Sequence, residues 1–241
     1  MKKNRKVIIG IAISVAILSV ITISYFLSKK GSKGNKKSKV KNANPKKILI
    51  AGDSQVAIQN EQGGRITYTY PNILKKDLEP QGYEIDVVAI GGKTTDWIKE
   101  NLSKKLQEKK YDRVYLHGGG NDVNNASIPL EKTIGNFQDM VNMVNESGAD
   151  PFIVLGYKIE GVDGKFGNYN IMSLTKYLNK KEDWIPYIEK RKELQNRLPK
   201  EISDSNFVPV YDLKQNTNDG VHPNGEGHKI VASKIKESIE A

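Results

Sequence analysis

Five short apolar runs alternate with helical stretches between residues 46 and 241, and four of them lead into glycine-bearing turns. The runs cover residues 47–51, 83–90, 113–117, 152–156 and 207–211 and read as buried strands. The stretches between and after them predict helices over 70–81, 95–110, 130–146, 184–198 and 224–240, with Thr95 or Asp96 as the N-cap of the second. Strands that alternate with helices in this way demand a parallel sheet built from βαβ crossovers. The expected fold is therefore α/β, a three-layer α/β/α sandwich with a five-stranded parallel sheet. In such a sheet the turns after the strands share one edge, and ligands bind there. Gly52, Gly91-Gly92, Gly119-Gly120 and Asp219-Gly220 all fall on that edge.

The side chains carried by those turns are chemically specific. Ser54 follows the first strand in Gly52-Asp53-Ser54, ahead of a predicted helix, so its N–H is free to face a developing oxyanion. A plain helix cap is the simpler role for such a serine. Asn121 brings an uncharged amide donor to the end of the third strand, where a Gly-Asn turn is the simpler reading. Asp122 is read as orienting that loop. Gly91 and Gly92 let a backbone N–H approach a bound group closely. Asp219 and His222 stand three residues apart in a Gly- and Pro-bearing loop. There a carboxylate can hold one imidazole nitrogen while the other faces a hydroxyl.

Other chemistries fit less well. The pentapeptide Gly-x-Ser-x-Gly elbow is absent. There is no Cys, and the remaining histidines, His117 and His228, lack metal-ligand spacing and read as structural. The net charge of +10 suggests nucleic acid, but residues 1–47 hold thirteen of the 38 basic side chains and no acidic one. The remainder carries 25 basic against 28 acidic residues, so a phosphate-binding groove is not expected.

The basic surplus surrounds an apolar run. Residues 1–6 form a basic head, residues 7–27 contain no charge, and residues 28–45 form a Lys-, Gly- and Ser-rich tether. Twenty-one residues suffice to cross a hydrocarbon core of about 30 Å. The run exceeds the usual apolar length of a cleaved signal peptide and ends at Tyr25-Phe26-Leu27, so it is read as an uncleaved signal-anchor. Four basic residues before the span and nine after it would by themselves keep the domain inside. The short basic head nonetheless resembles bacterial signal-anchors, and an exported domain is expected. Residues 158–183, broken by three glycines, are read as an excursion near the active edge.

Over residues 46–240 the chain resembles the SGNH subgroup of the GDSL hydrolases. The matching blocks are Gly52-Asp53-Ser54, the glycine at Gly92 (with Gly91 as the other candidate), Gly119 to Asp122, and Asp219 to Pro223. Gln55 stands where the family often has Leu. The resemblance implies a flavodoxin-like strand arrangement, Ser54 as nucleophile, His222 as base and Asp219 as its partner. It places the oxyanion hole at the Ser54 N–H, the Gly92 N–H and the Asn121 side chain, and it implies no metal or organic cofactor.

The expected activity is that of a serine esterase acting through an acyl-enzyme. An O-acetylated wall or surface glycan is the first expected substrate. An acyltransferase would use the same residues, and a lysophospholipase or thioesterase would need a long acyl groove. A glycan-binding module that keeps the fold is the non-enzymatic reading. The expected partners are thus an acyl ester and, through residues 7–27, a membrane.

Overall fold

The computed structural model describes residues 47–57, 68–156, 184–210 and 222–241. The expected membrane span, the tether, the 158–183 excursion and Asp219 lie outside the described residues. Among those described, no helix is long and apolar enough to cross a membrane.

The five runs pair as one parallel sheet in the order β2-β1-β3-β4-β5. Its strands are β1 (Lys47–Gly52), β2 (Glu84–Ala89), β3 (Arg113–His117), β4 (Asp150–Leu155) and β5 (Asn206–Pro209). All four pairings are parallel. The helices are α1 (Tyr70–Leu78), α2 (Thr95–Glu108), the short α3 (Gly120–Asn124), α4 (Leu130–Ser147), α5 (Trp184–Glu201) and α6 (Gly225–Glu240). The helix expected over 70–81 ends at Leu78 and tightens into a 3-10 turn, Glu79–Gln81, because Pro80 supplies no N–H to an α-helical ladder.

Strand periodicity splits the core between the two sheet faces. On β1, Leu49 and Ala51 point to one side and join Ile98 and Leu102 of α2 and Phe137 and Met140 of α4. Ile48 and Ile50 point to the other and meet Tyr70 and Leu74 of α1 and Val231 and Ile235 of α6. Each such aliphatic side chain taken fully out of water contributes about 1.5–3 kcal/mol before conformational entropy is subtracted. Helix α4 shows why this layer forms: Leu130, Ile134, Phe137, Val141 and Val144 recur at helical spacing and are all buried. Its end is set by Gly148, whose N–H turns back to the Val144 and Asn145 carbonyls.

The active edge depends on close strand ends. Gly52 pairs with His117, and the Asp53 N–H points to the His117 carbonyl at 3.4 Å. A Cβ at position 52 would fall 2.2 Å from that carbonyl oxygen and 2.3 Å from Val56. Only glycine lets β1 and β3 approach there, so the segments bearing Ser54 and Asn121 leave the sheet side by side.

Candidate active site

Ser54 and His222 come from opposite ends of the described chain and meet at hydrogen-bond distance. The Ser54 hydroxyl lies 2.9 Å from His222 Nε2, and the contact is partly buried. Two features place the hydroxyl. The Asp53 carbonyl accepts from the Val56 and Ala57 N–H groups, closing a turn directly after β1. The Asp53 carboxylate accepts from the Gln55 N–H at 2.9 Å, tightening the same turn from the side-chain end. His222 is positioned from the other side by the start of α6. Asn224 caps that helix, its side chain accepting from the Gly227 N–H at 3.0 Å.

For Nε2 to take the hydroxyl proton, the neutral ring must carry its own proton on Nδ1. That is the nitrogen to which the sequence resemblance assigns Asp219, a residue outside the described segments.

The Asn121 amide reaches the same corner. Its Nδ2 donates to the Lys93 carbonyl at 2.9 Å and lies 3.4 Å from the Asp53 carboxylate. One N–H is thus committed to the turn after β2, which orients the amide plane. The second is held only by a long contact and is available to a stronger acceptor. Gly92 lies in the same turn with φ of 74°, a left-handed conformation that a side chain would strain. Serine hydroxyl, imidazole, amide and the Gly92 turn therefore belong to one neighbourhood at the carboxyl ends of β1, β2 and β3.

Asp122 turns toward the start of α2. Its carboxylate accepts the Thr95 N–H at 2.9 Å together with the Thr95 hydroxyl. This corrects the expected start of α2: Thr94 is the N-cap and makes no side-chain cap bond. The orphan first-turn N–H is satisfied from across the fold instead. Spacing rules alone could not reveal a cap supplied by a residue 27 positions away.

The electrostatics of the corner come from groups the sequence hardly marks. Asp53 is buried, and the loss of hydration pushes its carboxyl up to about 6 against the partial compensation of the Gln55 N–H and the Arg191 guanidinium. Arg191 of α5 is itself buried and donates to the Tyr187 hydroxyl at 2.9 Å. No local motif announces it, because a lone arginine in a helix looks like a solvated face.

Behind the site, the Tyr70 hydroxyl and His117 Nδ1 share a 3.2 Å hydrogen bond, and His228 Nδ1 accepts the Tyr70 N–H at 3.2 Å. Burial pushes His117 down to about 3 and His228 to about 4, so both rings are neutral near pH 7. Both rings lie against the Tyr70 ring, and His228 is close enough to His222 for the two rings to interact electrostatically. Among the described residues, no cluster of His, Asp and Glu is arranged to hold a metal ion.

Comparison with known proteins bears on the family and the fold. Residues 50–230 match the model of the GDSL-like lipase/acylhydrolase family. No curated protein sequence gives a significant match. Among solved structures, a catalytic mutant of an acetylxylan esterase from Geobacillus stearothermophilus is similar, with TM-score 0.61 and 18% identity, over 84% of this chain and 97% of that one. A psychrotrophic esterase from Pseudoalteromonas sp. aligns with TM-score 0.53 and 15% identity, covering 81% of this chain and 97% of its own. A putative acylhydrolase from Bacteroides fragilis aligns with TM-score 0.57 and 18% identity, over 86% and 95% of the two chains. At these identities the structural likeness speaks for the fold.

Proposed function

Because the chain belongs to the GDSL-like lipase/acylhydrolase family and is an ester-hydrolysing serine hydrolase, we propose that it removes small acyl groups, acetyl first, from a glycan. The observation that carries this reading is the 2.9 Å contact between the Ser54 hydroxyl and His222 Nε2. In the proposed reaction His222 takes the Ser54 proton as the oxygen attacks the ester carbonyl. The negative charge that forms on the carbonyl oxygen is met by the Ser54 N–H, the Gly92 N–H and the loosely held N–H of Asn121. His222 then returns the proton to the leaving alcohol. Water, deprotonated by the same ring, releases the acid from the acyl-enzyme. Asp219 is the proposed partner of His222 Nδ1.

The acetylxylan esterase among the structural neighbours makes an acetylated glycan the first substrate to test. The experiment is a panel of esters of graded acyl length, including acetylated xylan, with the released acid measured. Acetate release that falls as the acyl chain lengthens is the expected pattern. A rise with chain length would favour a lysophospholipase or thioesterase. Acyl transfer to an added acceptor glycan would favour an acyltransferase. Absence of turnover on every ester would leave only a binding module.

We propose that residues 7–27 anchor the chain in a bacterial membrane and that residues 46–241 face outward, where wall or surface glycans lie. Protease treatment of intact cells should then remove the domain, and a fully protected domain would place it inside.

A further inference from the structure

Two adjacent residues of α3 hold the turn between β2 and α2 from both sides. Asn121 binds its middle, at the Lys93 carbonyl, and Asp122 binds its end, at Thr95. The Gly92 N–H and the Asn121 amide are therefore parts of one frame, and their separation depends on how Thr95 meets Asp122.

That meeting is fixed from a third element. Asn136 of α4 is buried, and its Nδ2 donates to the Thr95 hydroxyl oxygen at 2.9 Å and to Asp96 at 3.0 Å. Its carbonyl oxygen accepts from Lys99 Nζ at 2.8 Å, and the same ammonium pairs with Asp139 at 3.0 Å. Both amide hydrogens and the acceptor of Asn136 are thus used. Because the Thr95 oxygen accepts from Asn136, its own proton is directed to Asp122. The buried part of this chain, Asp122, Thr95 and Asn136, keeps a single arrangement, since rotating Thr95 or Asn136 leaves a polar group unpaired away from water.

We propose that Thr95 and Asn136 are positioning residues of the oxyanion hole, which act through Asp122 to set the spacing between the Gly92 N–H and the Asn121 amide. The inference rests on the esterase reading, because it presumes that those donors meet a developing oxyanion. It assigns a role in turnover to two side chains that touch no reacting atom.

The test is a mutant cycle on the full chain with p-nitrophenyl acetate. Misplacing a donor by a fraction of an ångström should let Thr95→Val lower kcat about 10- to 30-fold with KM changed by less than about twofold. Thr95→Ser keeps the hydroxyl and should restore kcat to within about threefold of the unaltered enzyme. Asn121→Ala removes the donor itself and should cost about 10²–10³ in kcat. In that background Thr95→Val should cost less than about threefold more, because there is no amide left to misplace. Should Thr95→Val not fold, Asn136→Ala enters the same cycle with the same expectation. An equal loss in both backgrounds, or a loss confined to KM, overturns the proposal while leaving the esterase reading intact. An unaltered enzyme without turnover overturns both.

Discussion

Ser54→Ala should reduce ester hydrolysis by roughly 10⁶-fold in kcat, the scale seen when the nucleophile of a serine hydrolase is removed. Ser54 offers its hydroxyl 2.9 Å from an imidazole nitrogen, and the change to alanine removes the oxygen proposed to form the acyl bond. The backbone N–H groups and the Asn121 amide survive the change, so a small residual rate above that in water should remain. His222→Ala should cost a similar factor, since without the imidazole the hydroxyl is a weak nucleophile at neutral pH. The double variant should be scarcely worse than either single one, because the two groups act as a unit. Labelling by a fluorophosphonate should disappear with Ser54→Ala. Persistent labelling, or a loss of only a few-fold, would place the nucleophile elsewhere.

Acidification should destabilise the fold well before most carboxylates are protonated. His117 and His228 are held neutral down to about 3 and about 4 by burial, whereas the same side chains in the unfolded chain take up protons near their ordinary value of about 6.5. Both folded values are depressed, so below about pH 6.5 the unfolded chain binds protons that the native one refuses. Asp53 acts in the opposite sense. Its folded value is raised to about 6, so the native carboxyl gains a proton first and recovers stability as pH falls. Two histidines with a gap of about 2.5 pH units at pH 4 outweigh one carboxyl with a gap of about 2, so these three groups together lose roughly 4 kcal/mol between pH 7 and pH 4. Urea unfolding at the two pH values measures it. His117→Gln keeps a polar partner for the Tyr70 hydroxyl and should remove about 3 kcal/mol of that pH dependence. Stability that stays level on acidification would show that these rings are hydrated in the native protein.

The parallel sheet was legible because its signal is local. Ile48 to Ala51 and Val114 to Leu116 are apolar without interruption, as strands covered on both faces must be, and their helices carry a separate 3.6-residue rhythm. Element ends moved by a few residues where caps intervened, as at Pro80 and Thr94. The meeting of Ser54 and His222 was legible for a different reason. The serine of Gly52-Asp53-Ser54 and a loop histidine follow different strands, and the topology of a parallel sheet brings the ends of its strands to one edge.

Residue order alone thus determined the layers of this protein, the edge on which its chemistry gathers, and the candidates Ser54, Asn121 and His222. Only the folded chain decided which nitrogen of His222 meets the hydroxyl, that Asp53 is buried beside Arg191, and that Asn136 supports Thr95 from 41 residues away. The difference is physical. Strand and helix periods are written over a few neighbouring residues, whereas burial and hydrogen-bond partnership belong to pairs that become neighbours only after the sheet has assembled.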